Sequence, residues 1–299
     1  MKLFSHYMER QTRMSGEIVN WRNHVVGDRL SYSYRDTEYT RSSYPSSLHY
    51  HDYFELVIFE EGDIRYICEG KVYHPKYGDI ILIPPGRFHM SAINCDSTVY
   101  RRHVFYLYPS AFDSIGHGAL TSFLCGVEDG DIGSLGDTET SRQLMGLLDE
   151  LKEIYGKEGS PLEEALGLSC IIKVFYLLNR GGCRSNSDNC SLPESILELK
   201  QYIDRNYADI SSVTQVAEHF FYSREYVSRL FKKHFDTTIS DYIMNRRIAA
   251  SQELIVRGCR LVDIAYQVGF GSLSTFIRAF RSVTGMTPSE YRKLRAEGK

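Results

Sequence analysis

VTQVAEHFFYSREYVSRLFKKHF, residues 213–235, and LVDIAYQVGFGSLSTFIRAFRSV, residues 261–283, are one pattern written twice. Offset by 48, Val213, Val216, Ala217 and Phe220 match Leu261, Ile264, Ala265 and Val268, and both sets follow the i, i+3, i+4, i+7 spacing of an amphipathic helix. Offset by 49, Ser223, Val227, Arg229, Phe231, Thr238 and Tyr242 match Ser272, Phe276, Arg278, Phe280, Thr287 and Tyr291. The extra residue falls between the two helices of the second copy, where a turn absorbs it. Each copy therefore reads as a short helix, a tight turn and a second helix. In the first, Ser212 caps VTQVAEHF and Ser223 caps REYVSRLFKKHF; in the second, LVDIAYQV runs through GFG to Ser272, which caps LSTFIRAFRSV. Ala217 and Ala265 are small enough for the paired helices to approach closely. Val227, Leu230 and Phe231, with Phe276, Ala279 and Phe280, are the expected inner faces.

The opposite faces carry Glu225, Ser228, Arg229 and Lys232 in the first copy and Ser274, Ile277, Arg278 and Arg281 in the second, with Arg224 opening the first helix. A second helix laid in a DNA major groove presents such side chains to base edges, and arginine bonds guanine O6 and N7 in a bidentate fashion. Arg229 and Arg278 are the preferred base readers. Residues 239–257 read as one helix of about 27 Å, a strut able to hold two recognition helices near the ~34 Å repeat of successive major grooves. Lys232, Lys233, Arg246 and Arg281 are expected at phosphates. The charge distribution agrees: the chain totals −3, but residues 194–299 carry 16 Lys and Arg against 12 Asp and Glu, a net +4, leaving −7 for residues 1–193. The expected partner is double-stranded DNA.

Residues 196–295 resemble the DNA-binding domain of the AraC/XylS family of bacterial transcription regulators. The resemblance is carried by Ile203 and Tyr207, the VAEHF to SRLFKKHF run, Tyr242 with Arg247 and Ile248, DIAYQVGF, Phe276 to Phe280, and TGMTPSEYR at 284–292. It covers a third of the chain and implies an all-helical fold with two helix-turn-helix units joined by a helix. Two residues depart from the pattern. Asp236 stands where Gly285 stands in the second copy, a position read as a left-handed helix end that aspartate tolerates, and Ser251 replaces a usual alanine in the strut. Glu225 is out of place near phosphate unless it accepts from cytosine N4.

Upstream, residues 53–108 alternate β-branched and aromatic runs with turn signals, which predicts antiparallel strands in a sandwich or barrel, with Leu30 to Tyr44 supplying an earlier strand. From about Thr140 the period changes to helical. Pro161 opens a second helix to about Asn179 that is apolar almost all round and so needs covering. GGCRSNSDNCSLP, residues 181–193, has no periodicity and reads as a linker. The expected fold class is α+β multidomain: residues 1–180 a cupin-like β-barrel with accessory helices for effector binding and dimerisation, and residues 194–299 an all-α domain.

HYHDYFELVIFEEG, residues 49–62, places His49, His51 and Glu55 on what reads as one strand. With Gly62, then Gly78, Pro84, Gly86 and His89, this region resembles the cupin-type sensor domain of many such regulators, although Ser43 and Ile93 stand where the motifs usually have glycine and asparagine. The resemblance implies a full ligand set for a divalent transition metal in His49, His51, Glu55 and His89. The preferred reading gives them no metal, no cofactor and no catalytic role, and has them line an effector pocket. The resemblance suggests a carbohydrate there, while Arg87 could pair with an acidic effector. A metal-dependent cupin enzyme with an appended helical domain is the alternative, and a constitutive DNA-binding protein with a barrel for oligomerisation the third. The further partners expected are a second copy of the chain, in a homodimer, and RNA polymerase. Seven cysteines, an odd number without a disulfide framework, suit a reducing compartment. With no apolar run of roughly 18 residues and no secretory leader, the expected location is the cytoplasm, without a membrane partner.

Overall fold

A computed structural model of the chain describes residues 19–22, 29–40, 43–44, 48–112, 119–124, 131–135, 138–156, 160–181, 183–185 and 190–297. The chain divides into two compact units, Met1–Pro45 with Tyr50–Cys190, and Ser46–His49 with Ser191–Lys299.

The first unit is built on β1 (Val19–Arg22), β2 (Leu30–Thr40), β3 (Phe54–Glu61), β4 (Ile64–Cys68), β5 (Lys71–Tyr73), β6 (Ile80–Ile83), β7 (His89–Ile93), β8 (Ser97–Leu107), β9 (Asp131–Leu135), β10 (Cys183–Ser185) and β11 (Cys190–Ser191). They form a seven-stranded sheet in the order β1-β2-β8-β3-β6-β9-β10 and a four-stranded sheet in the order β11-β5-β4-β7. Among the described residues the two sheets do not close on each other, and they form the two walls of the cupin-like unit. Alternation gives the large sheet two different faces. Leu30, Tyr32, Tyr34, Leu56, Ile58, Ile80, Leu82, Phe105 and Leu107 face one way and pack under α1 (Thr138–Tyr155) and α2 (Pro161–Gly181). Tyr39, Val57, Phe59, Ile81, Ile83, Tyr100, Val104 and Tyr106 face the other way, against Ile64, Tyr66, Cys68, Tyr73 and Ile93 of the small sheet.

Three local expectations change. β3 begins at Phe54, so of the first histidine motif only Glu55 lies on that strand, and His49 and His51 precede it. The supposed linker is partly sheet: β10 pairs antiparallel with β9, and β11 joins the small sheet. Backbone pairing needs no side-chain period, so nothing in the sequence advertised it. Finally, the apolar surface of α2 is largely covered within the chain, where Ile171, Val174, Phe175 and Leu178 are buried against the sheet; Leu162, Leu166 and Tyr176 stay exposed.

The second unit is α3 (Glu194–Asn206), α4 (Val213–His219), α5 (Arg224–Phe235), α6 (Ile239–Val256), α7 (Leu261–Gln267), α8 (Leu273–Thr284) and α9 (Pro288–Glu297). The caps fall where the serines predict them. Ser212, Ser223 and Ser272 accept from the backbone N–H of Gln215, Tyr226 and Thr275. Asp236 ends α5 at φ 48, as Gly285 ends α8 at φ 80. The Ser251 hydroxyl, buried in α6, is satisfied by donating to the Ile248 carbonyl at 2.7 Å. Asp204 ties α3 to α6: it accepts from Lys200 of its own helix at 2.7 Å and from the Tyr242 hydroxyl at 2.6 Å, and pairs with Arg246 at 3.0 Å. Arg246 is thus a brace for α3, which corrects its reading as a phosphate contact. No helix among the described residues is long and apolar enough to cross a membrane.

Candidate functional site

A sandwich interior that served only stability would be lined with apolar side chains. This one is not. Ser31, Ser33 and Arg35 of β2, Arg102 of β8, and His51 and His89 are all buried. Tyr34 and His103, the neighbours of Arg35 and Arg102 in sequence, meet as tilted rings on the helix-covered face at 4.9 Å between centroids, so alternation turns the two arginines inward. Arg35 donates to the Tyr106 hydroxyl at 2.9 Å, and the Arg102 guanidinium carbon sits 3.8 Å from the centre of the Tyr100 ring. Burial pushes the Tyr106 hydroxyl up to about 12, with Arg35 pulling the other way, so it remains a neutral O–H donor.

At one end of this interior His51 and His89 converge on Glu55. Their Nε2 atoms lie 3.0 and 3.1 Å from Glu55 Oε2, and their Nδ1 atoms 2.7 and 2.9 Å from the carbonyls of Tyr53 and Arg87. A carbonyl only accepts, so each Nδ1 carries a proton and each Nε2 is turned to the carboxylate. Burial alone would raise the Glu55 carboxyl, but hydrogen bonds to the two histidines hold it well below the usual carboxylate range. Burial likewise lowers His51. A shared proton, or a divalent cation, between the imidazole Nε2 atoms and the carboxylate satisfies this geometry. Within the first unit His51, Glu55 and His89 thus bring two imidazoles and a carboxylate together, a donor set that suits a divalent transition metal. Arg87 is half-buried in the turn before His89 and contributes its carbonyl.

Sequence reading missed Arg35, Arg102 and Tyr106. For Arg35 the available signal was the alternation in LSYSYRD, which puts Ser31, Ser33 and Arg35 on one face. A second buried cluster was missed on the other face of the same sheet. His103 is bound by Tyr32 Oη at Nδ1 and by Glu60 Oε1 at Nε2, both at 2.7 Å, and Tyr34 donates to Glu60 at 3.1 Å. Glu60 is the residue left over where the β3–β8 register shifts, a bulge that delivers it to His103. Lys152 of α1 lies 4.1 Å from the Tyr34 ring centre, so this cluster is part of the sheet–helix packing.

In the second unit the predicted recognition faces are presented outward, with one correction. Arg224, Glu225, Arg229 and Lys232 are exposed on α5, and Ser274, Arg278 and Arg281 on α8. Ser228 and Ile277 are only half-exposed, and Ile277 packs against the core of its unit. Tyr226 and Lys233 take their place on α5, and Thr275 and Ser282 on α8, again at matched positions. Arg229 and Arg278 remain central, in equivalent places on two capped helices.

A β-rich unit with a polar interior, followed by two helix-turn-helix units with outward arginines, defines a DNA-binding regulator that carries its own ligand-binding domain. Comparison with known proteins agrees. Residues 31–171 match an AraC-like ligand binding domain and residues 216–294 a helix-turn-helix domain. The chain is 26% identical over 258 residues to the HTH-type transcriptional activator RhaR of Mannheimia succiniciproducens, covering 83% of this chain and 87% of that protein. It is 32% identical over 98 residues to the HTH-type transcriptional activator AarP of Providencia stuartii, covering 32% of this chain and 73% of that one. Among solved structures, the C-terminal domain of the two-component response regulator yesN from Fusobacterium nucleatum is 27% identical, covers 33% of this chain and 99% of that chain, and has a TM-score of 0.33. The chain belongs to the AraC family of transcriptional regulators.

Proposed function

We propose that the protein is a cytoplasmic transcriptional activator whose effector, a small hydroxylated molecule of the carbohydrate class, binds between the two sheets of the first unit. The observation that carries this reading is the inward-facing polar set: Ser31, Ser33, Arg35, Arg102, His51, Glu55 and His89 sit where a structural sandwich needs apolar filling. Polar groups gathered on the inner face of a sandwich can exchange hydrogen bonds with a ligand rich in hydroxyls. Activation, rather than repression, follows the names of the relatives. On DNA, Arg229 and Arg278 read base edges, while Arg224, Lys232 and Arg281 meet phosphates and Glu225, Ser228, Ser274 and Ile277 border the contact. The exposed Leu162, Leu166 and Tyr176 of α2, beside a groove lined by Leu147, Glu150, Lys173 and Leu177, fit a second copy of the chain. The effector acts by binding one arrangement of the protein more tightly than another.

The test is fluorescence anisotropy of the full chain on DNA from its own upstream region, with and without a panel of carbohydrates. A change in DNA affinity that Glu55→Gln abolishes is expected; a response that survives the substitution overturns the site. The paired Nε2 atoms facing Glu55 also support a second reading, in which His49, His51, Glu55 and His89 hold a divalent metal and the unit is catalytic. Stoichiometric metal in purified protein, together with an activity lost in His51→Ala, would establish that reading over the first.

A further inference from the structure

The two helix-turn-helix turns share one backbone and differ in what they display. The Phe221 N–H donates to the Glu218 carbonyl and the Tyr222 N–H to that of Ala217, as Gly269 and Phe270 donate to Tyr266 and Ala265. Phe221 therefore stands where Gly269 stands, in the left-handed region at φ 57. Glycine takes that conformation freely, and a phenylalanine is strained in it. Nor does its ring pack in the fold, since the residue is 96% exposed. The next position diverges as well. Phe270 is buried against Phe276 in the core of its copy, whereas Tyr222 is 44% exposed and meets the 41% exposed Tyr226 at 4.8 Å between ring centroids. Three large aromatic side chains are thus exposed around the leading end of α5, combining a strained backbone with an apolar surface that folding does not account for.

Resting on the reading of α5 as a recognition helix, we propose that Phe221, Tyr222 and Tyr226 form an aromatic edge that reads thymine through its C5-methyl group. The edge is continuous with the recognition face, because Tyr226, Arg229 and Lys233 follow i, i+3, i+7 and all three are exposed. A recognition helix meets base edges through its N-terminal residues, and the turn carrying Phe221 and Tyr222 immediately precedes them. Charge selects the occupant. Arg224, Arg229, Lys232 and Lys233, four cations against the single anion Glu225, give the exposed face of α5 a net +3, which suits a polyanion. In the major groove thymine presents a methyl group, and an aromatic side chain packs on it. The arginines of the same helix favour guanine, so the edge adds a base that they do not recognise. In the second copy the equivalent edge is missing. Gly269 has no side chain and its Cβ position is closed by the Ala208 carbonyl, and Phe270 is turned into the core. Methyl readout therefore belongs to the first helix-turn-helix alone.

Fluorescence anisotropy of the full chain at fixed salt tests the edge, on DNA from its own upstream region in which thymines are replaced one at a time by deoxyuridine, which lacks only the methyl group. One or two replacements, confined to one half of the bound site, are expected to weaken the wild type about 4-fold each, the value of one buried methyl. Phe221→Gly relieves the backbone and so keeps the fold. It is expected to bind the thymine site more weakly and to lose the difference between thymine and deoxyuridine at one position, and Tyr226→Ala to do the same at a neighbouring one. Arg229→Ala is expected to weaken specific binding while keeping that difference. Deoxyuridine bound as tightly as thymine at every position, or a Phe221→Gly variant with wild-type affinity and the full difference, overturns the edge. If Arg229→Ala still weakens specific binding in that case, α5 remains a recognition helix and only the methyl readout is wrong. If neither Arg229→Ala nor Phe221→Gly changes affinity for the specific site, both readings fall.

Discussion

The turn of the second helix-turn-helix contains two glycines, Gly269 and Gly271, that the sequence writes alike as GFG and that the structure treats oppositely. Gly269 has φ +91, and a Cβ built on it would lie 2.2 Å from the Ala208 carbonyl oxygen and 2.8 Å from that residue's C and Cα. Ordinary contact begins near 3.4 Å, so alanine at 269 requires a displacement of about 1.2 Å. The obstacle is backbone, and it is held: Arg247 of α6 donates to the carbonyls of Tyr207 at 2.9 Å and Ile210 at 2.8 Å on either side of it. A left-handed conformation costs a non-glycine residue about 1–2 kcal/mol, and forced displacement in a packed region about 1–3 kcal/mol. Loss of unfolded-state freedom returns about 0.4–1 kcal/mol, so Gly269→Ala is expected to destabilise the second unit by roughly 2–4 kcal/mol. Nothing lies within 4 Å of a Cβ at Gly271, and Gly271→Ala is expected to stay within about 0.5 kcal/mol of wild type. Urea unfolding followed by far-UV circular dichroism reports on this helical unit, whereas the chain's single tryptophan, Trp21, lies in the other one. If Gly269→Ala unfolds at the same urea concentration as Gly271→Ala, the close approach to Ala208 is not real and the placement of α7 against α3 must be redrawn.

Arg278→Ala is expected to cost about 1–3 kcal/mol on a specific site while leaving non-specific binding nearly intact, and Arg281→Ala to lower the slope of log affinity against log salt by about 0.9; anisotropy over a salt series reads both, and equal effects on specific and shuffled DNA would remove Arg278 as a base reader. Phe221 occupies the left-handed position that Gly269 fills in the other copy, at φ 57 and 96% exposed, so Phe221→Gly should stabilise the second unit by about 0.5–1 kcal/mol in the same urea assay. Although burial pushes the other way, hydrogen bonds with His103 and Tyr34 hold the Glu60 carboxyl below its ordinary value of 4.5. Its folded value is therefore below its unfolded one, so its stabilisation is present above the unfolded value and is lost as pH falls through the folded one. Glu60→Gln should accordingly flatten the acid limb of thermal stability below about pH 4.5, and an unchanged limb would show that the cluster carries no proton linkage.

How much of this was legible differs between the two halves for a physical reason. Helix-turn-helix grammar is local: serine caps, small residues at helix contacts and a 3.6-residue period all act within a dozen residues, so α4 to α8 and both arginines could be read directly. Finer exposure is less local. Exposure at Ser228 and Ile277, against Tyr226 and Thr275, depends on how neighbouring helices lean, and so does the capture of Arg246 by Asp204. In the sandwich, alternation along LSYSYRD shows that two faces exist but not which of them α1 and α2 will cover. The tyrosines draw the eye, yet Tyr32 and Tyr34 go under the helices, leaving the serines and Arg35 to line the interior. The opposition of Arg35 to Arg102 is further still from the sequence, because it is a property of register. A one-residue slip between β2 and β8 would send one arginine to the helix-covered face, and a two-residue slip would offset the pair along the interior. The long, unbroken pairing from Leu30↔Leu107 to Thr40↔Ser97 allows neither. Eleven consecutive partnered residues therefore keep Arg35 opposite Arg102, and that placement is written in the pairing of two distant strands and in no local pattern of either one.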